Sequence, residues 1–342
     1  MKIIPLKNDD FRSGVFRTSF TVVVPRGVQM VGLGRHLTMF VSDDSGFHAS
    51  AVEDARQFDR SSVVGDAPPL LLFSNAPALR DAPGNQVVAG PAKTPLETVI
   101  FGMSLVVPTY NAHANASMLV FRSSTSAVDG FNVFRQMWTA RLNLCGQYWG
   151  SDCSARFYAQ VPYDNAYTRI EGERTTLRVY VYFQEDSENS VGTASQSAFH
   201  RKLLIQGTRR PIEIHQLNGE HSHTTAYSEF VNTTGISVLG CKSERDGPAI
   251  FLRSSKQFAS YGHGGAAHEI LIKLPAKECN GQSPCPWSPS LYRVIDSDDV
   301  RFVNLQMQFY AASNSMMYEE HDEQVFRAPK GEWPSLWFRT PQ

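Results

Sequence analysis

The dominant pattern along the chain is an alternation of apolar and polar residues with a period of two. In Thr176–Phe183 every second residue is apolar, and Ala155–Val161 shows the same alternation. Because successive side chains of a strand point to opposite faces, both segments are predicted to be half-buried strands. The same reasoning predicts strands at Phe20–Val24, His36–Val41, Val99–Val107, Ser117–Phe121, Pro211–Gln216, Gly235–Leu239, Glu269–Leu274 and Val300–Tyr310.

One segment shows a different spacing. Between Val128 and Leu144 the apolar residues recur at intervals of three and four, at Phe131, Phe134, Trp138 and Leu142. This spacing places them on one stripe of a helix, and Asp129 precedes it in a capping position. The sequence therefore predicts one short helix in a chain that otherwise consists of strands.

The junctions between the predicted strands are rich in Gly, Pro, Asp and Asn, and no internal repeat is evident. Many short strands with long polar connections favour a sandwich or a barrel. Residues 42–95 lack clean periodicity, and the last segment carries tryptophans among prolines. We therefore expect an N-terminal arm with room for a β-hairpin at 1–95, a β-sandwich at 96–312 and a docked C-terminal tail at 313–342.

Composition narrows the class of protein. The chain has 342 residues, 42% of them apolar and 19% charged, with a formal net charge of -1. These values exclude general disorder and give no overall basic field of the kind that a dedicated nucleic-acid reader carries. The first residues turn polar before an apolar segment develops, so no secretory signal is expected, and no apolar run is long enough to span a membrane.

The cysteines and histidines are the candidates for chemistry. Five cysteines are irregularly spaced; Cys279 and Cys285 either close a small loop or remain free thiols, as a reducing cytoplasm favours. His215, His221 and His223 are close in sequence, but no further ligand pattern accompanies them. We therefore predict no catalytic residue, no metal, no cofactor and no enzyme activity.

The order of elements after residue 96 is more informative than any one motif. Two predicted strands at Leu96–Val107 and Ser117–Phe121 precede the predicted helix, and Tyr148–Ser151 forms an aromatic-glycine turn before further strands. This order resembles the jelly-roll coat proteins of picorna-like small icosahedral RNA viruses, with Trp149-Gly150-Ser151 leading into strand C and Leu177–Phe183 as strand E. The resemblance implies an all-β, eight-stranded antiparallel jelly-roll sandwich with one short helix, an N-terminal arm and a C-terminal tail.

The same resemblance implies a function. The chain would be a capsid subunit that assembles with copies of itself and related subunits into an icosahedral virion around packaged RNA, in the host cytoplasm, with an unknown host receptor. Asp298 and Asp299 stand where insect members of the family carry an acidic motif that takes part in maturation. Four arginines of the first segment would either face RNA or pair across subunit interfaces: Arg12, Arg17, Arg26 and Arg35.

The alternative from another class is a non-enzymatic carbohydrate- or receptor-binding β-domain of a phage, toxin or cell-surface protein. Its candidate binding residues are exposed aromatic side chains at Tyr148, Trp149, Trp287, Trp333 and Trp337.

Overall fold

The structure is a computed structural model, and every regular element that it describes is a strand. It describes residues 14–18, 22–25, 29–33, 37–42, 71–74, 99–108, 119–122, 133–142, 166–173, 175, 177–186, 201–223, 226–246, 249–267, 290–309, 315–321, 324–328 and 336–340. These ranges contain no helix, and therefore none that is long and apolar enough to cross a membrane.

The strands form two sheets. Sheet A contains β1 (Val15–Thr18), β3 (Gln29–Val31), β4 (Met39–Ser42), β6 (Val99–Phe101), β7 (Ser104–Pro108), β9 (Val133–Leu142), β11 (Leu177–Asp186), β13 (Ile212–His223), β15 (Thr234–Asp246), β17 (Lys256–Ala267), β19 (Asp298–Phe309) and β22 (Leu336–Arg339). Sheet B contains β2 (Val22–Pro25), β5 (Leu71–Ser74), β8 (Leu119–Arg122), β10 (Ala166–Glu171), β12 (Arg201–Gln206), β14 (Ala226–Val231), β16 (Ile250–Arg253), β18 (Ser290–Ile295), β20 (Ser315–His321) and β21 (Gln324–Ala328).

The chain alternates between the two sheets from β8 to β20. Each strand pairs in parallel with the strand two places further along the chain, so β11, β13, β15, β17 and β19 lie side by side in sheet A. Between them β12, β14, β16, β18 and β20 stack in the same way in sheet B. This is a parallel β-solenoid of two facing sheets. Among the described strands only β21 and β22 pair antiparallel, with β20 and β19.

The predicted antiparallel jelly roll is therefore wrong, although the described residues are all-β, as the sequence predicted apart from one helix. A jelly roll joins antiparallel strands, whereas these sheets are parallel in all but their last pairs. Alternation with a period of two defines the faces of a strand but not the direction of its neighbour, because parallel and antiparallel strands expose side chains in the same way.

The predicted helix between Val128 and Leu144 is also wrong. Residues Val133–Leu142 form β9, which pairs with β6 and β7 on one side and with β11 on the other. The spacing of three and four covered little more than one heptad, too short to decide between helix and strand. Pairing on both sides supplies the hydrogen bonds that favour the strand.

Most predicted strands coincide with observed ones within a few residues, including Thr176–Phe183 with β11 and Val300–Tyr310 with β19. Ala155–Val161 and Glu269–Leu274 lie outside the described residues. Strands before residue 95 and after residue 312 belong to the same two sheets as the segment between them. The division of the chain at those two positions stays a prediction.

The core lies between the sheets and is built from columns of register-matched side chains. Sheet A contributes a column in which every member is buried: Leu177, Ile212, Ile236, Phe258 and Val300. Sheet B contributes a second such column: Ile170, Ile205, Phe230, Leu252 and Val294. Aromatic rings join the two columns, since the Phe230 and Phe258 ring centroids lie 5.1 Å apart. Burial of these columns supplies the main stabilisation of the solenoid.

The corner between a sheet B strand and the next sheet A strand repeats from rung to rung. It consists of a residue with positive φ, such as Asn232 or Ser254, followed by a buried hydroxyl residue. The hydroxyl residues are Thr208, Thr233, Ser255 and Ser297. Their spacing in sequence is irregular because the long connections differ in length, so the repeat escapes a search for a fixed period.

We expect Ser255→Ala to lower the free energy of unfolding by about 1–3 kcal/mol. The reason is that the buried N–H and hydroxyl groups of Thr233 lose the oxygen that accepts their hydrogen bonds. The Ser255 hydroxyl accepts hydrogen bonds from the Thr233 backbone N–H at 3.2 Å and from the Thr233 hydroxyl at 3.0 Å. Urea denaturation measures the change. Ser237→Ala, at a partly exposed position on the outer face of sheet A, is the control and should change stability by less than about 0.5 kcal/mol. Equal effects of both variants would contradict the role of the buried ladder.

Candidate functional site

The outer face of sheet A carries a ladder of register-matched residues, several of which are apolar. The backbone registers of β3, β6, β9, β11, β13, β15, β17 and β19 align one residue from each strand on this face. These residues, which we call the sheet A ladder, are Val31, Phe101, Arg135, Tyr180, His215, Leu239, Tyr261 and Val303. Val31 is 68% exposed and Tyr261 is 40% exposed, whereas Phe101, His215, Leu239 and Val303 are partly buried.

The neighbouring outward column carries charged residues at both of its ends, on β11, β13 and β19, and small residues between them. Arg178 Nε lies 3.1 Å from Glu213 Oε2, and both side chains are about two-fifths exposed. Further along, Ser237 and Ala259 occupy the same column, followed by Arg301. Because Ser and Ala are small, the neighbouring Leu239 and Tyr261 stand above them. The result is an apolar ridge bordered by exposed ion pairs, each of which adds little stability by itself.

A cluster of chemically capable side chains lies inside the solenoid. Cys241 and His263 are register partners on β15 and β17, and both are buried. The Tyr292 hydroxyl from sheet B forms a short hydrogen bond of 2.5 Å with His263 Nδ1, and the tautomer of the imidazole decides which group donates. The two sheets thus bring a thiol, an imidazole and a phenol together in the core.

Burial keeps each member of this cluster uncharged. It raises the pKa of the Cys241 thiol to about 12 and lowers the pKa of His263 to about 3. Burial also raises the pKa of Tyr292 well above its usual value, and the neighbouring Cys241 adds to that shift. A thiol is nucleophilic as the thiolate, so Cys241 lacks the form that covalent catalysis needs. The cluster is a neutral polar contact inside the core.

On the outer face of sheet B one column of register-matched residues is buried, whereas Gln206, Val231 and Arg253 of the next column are partly exposed. Glu171 Oε1 accepts hydrogen bonds from Arg169 Nε at 2.8 Å and from Gln206 Nε2 at 2.7 Å. On higher rungs the Arg293 guanidinium lies 4.4 Å from the centroid of the Phe251 ring. These paired charges and the cation–π contact satisfy groups that would otherwise be costly to bury. The buried column is therefore part of the packed structure.

The acidic pair predicted from the coat-protein resemblance lies at the start of β19. Asp298 follows the corner formed by Asp296 and Ser297, and its backbone N–H donates to the Ser255 carbonyl at 3.0 Å. Asp299 has a positive φ of 49° and accepts a 3.0 Å hydrogen bond from Arg301. The pair therefore takes part in turning the chain into β19. Its role in a maturation cleavage stays a prediction.

The other predicted residues are only partly described. Arg17 lies on β1, whereas Arg12, Arg26 and Arg35 lie outside the described residues, as do Cys279 and Cys285. Their roles at RNA or at subunit interfaces stay predictions.

The three histidines considered as metal ligands all lie on β13. His215 Nε2 is 3.8 Å from Glu213 Oε2, and within the described part of the chain no three metal-ligating side chains gather.

Sequence reasoning missed both the sheet A ladder and the buried cluster. Cys241, His263 and Tyr292 are far apart in sequence and meet only because their strands stack in parallel. The available signal was the recurring order of an apolar strand, a turn residue, Ser or Thr, and a second apolar strand. It occurs at Leu203–Ile214, Ser228–Val238, Ile250–Ser260 and Tyr292–Phe302.

Comparison with known proteins assigns no family to this chain. No protein-family model matches it, and no curated protein and no solved structure shows significant similarity to it.

We expect the stability of the folded protein to fall as the pH decreases from 6.5 toward 3. The pKa of His263 is lowered by burial, so the unfolded state binds more protons over this interval and gains stability as the pH falls. Between pH 6.5 and 5 the free energy of unfolding decreases by about 2 kcal/mol. Urea denaturation at several pH values gives the free energy of unfolding of the wild type and of His263→Gln. The contribution of His263 is the difference between the pH dependences of the two free energies. A pH dependence in His263→Gln equal to that of the wild type would contradict the assignment.

Cys241 should resist alkylation in the folded protein. Its thiol is buried and its pKa is raised to about 12, so little thiolate is present at pH 8. Treatment with iodoacetamide followed by peptide mass spectrometry should find Cys241 unmodified in buffer and fully modified in concentrated urea. Rapid labelling in the native state would show that the core around Cys241 opens to solvent.

Proposed function

We propose that the chain is a structural protein that acts by assembly through the outer face of sheet A, without catalysing a reaction. The observation that carries the proposal is the group of apolar side chains aligned on the outer face of β15, β17 and β19, of which Tyr261 is 40% exposed and Leu239 and Val303 are partly buried. An exposed apolar patch of this kind often marks a contact with another molecule. A partner that lies flat on the sheet would bury it.

The dimensions of the face suit a stable protein contact. The five long strands β11, β13, β15, β17 and β19 have 10 to 13 residues each. With a strand spacing of about 4.8 Å and a rise of about 3.3 Å per residue, their outer face covers roughly 700 Å². A standard interface buries about 800 Å² on each partner, and the shorter strands before β11 extend the face.

The chemistry of the interior supports a structural role. The thiol, imidazole and phenol that an enzyme would employ are held in the core in their neutral forms, and they serve as packing and hydrogen-bonding groups. The predicted capsid function belongs to the same class, a protein that works by assembly. Its icosahedral shell, its RNA and its location in a virion stay predictions, and the jelly roll from which they were inferred is wrong.

A second candidate function is carbohydrate binding on the same face. Tyr261 favours it, because a half-exposed aromatic ring beside a charged side chain such as Arg301 is a surface on which a sugar ring can stack and form hydrogen bonds. Of the aromatic residues predicted for this role, Trp337 lies on β22 and the others lie outside the described residues. Binding of glycans by a protein that remains monomeric at all concentrations would favour this alternative.

We expect the double variant Leu239→Arg and Tyr261→Arg to weaken assembly, because it places two charges at adjacent apolar positions of the sheet A ladder. The average mass in solution should fall at least twofold relative to the wild type, as measured by light scattering coupled to size-exclusion chromatography. Leu33→Arg, at a residue that is 86% exposed but lies outside the ladder, is the matched control. A wild-type protein that stays at 38.1 kDa at all concentrations would contradict the proposal, as would an unchanged mass of the double variant.

A further inference from the structure

The contacts between the two sheets reach from the corners to the buried cluster of Cys241, His263 and Tyr292. Phe230 at the end of β14 and Phe258 near the start of β17 lie close to the corners, with ring centroids 5.1 Å apart. His263 lies further along β17, and its ring centroid is 5.3 Å from that of Tyr292 in a T-shaped contact. The cluster therefore joins the sheets at a distance from the corners, where the backbone itself passes from sheet B to sheet A.

The surroundings of His263 suit a neutral imidazole and not a charged one. Its Nδ1 forms the 2.5 Å hydrogen bond with the Tyr292 hydroxyl on β18, its register partner on β15 is Cys241, and its register partner on β19 is Leu305. The two ionisable groups among these three neighbours, the thiol and the phenol, are neutral and do not balance a positive charge. Protonation of His263 in the closed core would therefore bury a charge at high cost.

The direction of the effect of pH follows from proton binding. Burial lowers the pKa of His263 to about 3 in the closed state, whereas an exposed imidazole has its ordinary pKa of about 6.5. Between these two values, a state in which His263 reaches solvent binds more protons than the closed state. The equilibrium constant for opening therefore increases about tenfold for each unit by which the pH falls.

We infer that the contact of His263 with Tyr292 is an acid-sensitive switch, in which protonation of the imidazole separates the two sheets around Cys241. The corners stay closed, because the hydrogen bonds of Ser255 with Thr233 join hydroxyl and backbone groups that do not titrate in this range. The opening is therefore local and exposes the thiol of Cys241 to solvent. The switch lies in the core and acts independently of the sheet A ladder.

Labelling of the Cys241 thiol measures the opening. A dipyridyl disulfide reacts with thiols at acidic as well as neutral pH, and its rate with an unstructured peptide that contains Cys241 gives the intrinsic reactivity at each pH. The ratio of the rate in the folded protein to this intrinsic rate is the open fraction of the protein. We expect this ratio to rise about 100-fold between pH 7.5 and 4.5, with peptide mass spectrometry to assign the label to Cys241.

His263→Gln is the decisive variant, because glutamine can form a hydrogen bond with Tyr292 but does not titrate between these pH values. Its open fraction should rise by less than about threefold. Ser237→Ala, on the outer face of sheet A, is the control and should retain the wild-type rise. An equal rise in the wild type and in His263→Gln overturns the switch, and so does an open fraction of the wild type that stays constant.

Amide hydrogen exchange of the wild type, measured by NMR, establishes where the structure opens and needs no variant. We expect the exchange rates of His263 and Tyr292, corrected for the intrinsic effect of pH, to increase about 100-fold between pH 7.5 and 4.5. The amides of Thr233 and Ser255 at the corners should change by less than about tenfold. An equal increase at all four residues would show global unfolding and overturn the local switch, as would constant exchange at His263 and Tyr292.

Discussion

The structure depends on how the chain satisfies its backbone hydrogen bonds at the corner between the two sheets. At each corner a residue with positive φ, such as Asn232 or Ser254, bonds through its N–H to the carbonyl of the next rung, at 2.9 and 3.0 Å. The buried hydroxyl residue that follows it satisfies further groups, and Ser255 alone contacts Thr233, Phe230 and Arg253. Because unpaired polar groups are costly to bury, these corners fix the register of every rung.

The fixed registers align side chains in columns. The position of a column, inside the core or on the outer face, determines whether its side chains are buried and therefore whether they are charged. Cys241 and His263 share an inward column and meet Tyr292 from the opposite sheet, so burial holds all three neutral. At the surface, the same three groups would have pKa values near their reference values, and a thiol beside an imidazole would be reactive. In the solenoid the same residues are part of the packing that joins the sheets.

The fixed registers also align the side chains on the outer faces of the two sheets, and the two faces differ in burial. On sheet B the outward column of Arg169, Leu204, Glu229, Phe251 and Arg293 is buried, and its charges are paired or stacked on an aromatic ring. On sheet A the outward column exposes Val31 and Tyr261, and its charged neighbours lie at the borders. In a solenoid each column contains one residue from every stacked strand. A column over eight strands is therefore about 34 Å long. This geometry favours contacts with other large molecules.

The sequence by itself determined those strands in which alternation with a period of two is regular, because that pattern follows from the geometry of one strand and needs no knowledge of its neighbours. It therefore located Thr176–Phe183 and Val300–Tyr310 correctly within β11 and β19. It could not determine the direction of pairing, and the short apolar stripe between Phe131 and Leu142 was compatible with a helix until β11 paired with β9. The position of the candidate surfaces was decided only by the tertiary structure. Tyr261 and His215 join one ladder through parallel stacking across long connections of unequal length, and that stacking leaves no fixed period in the sequence.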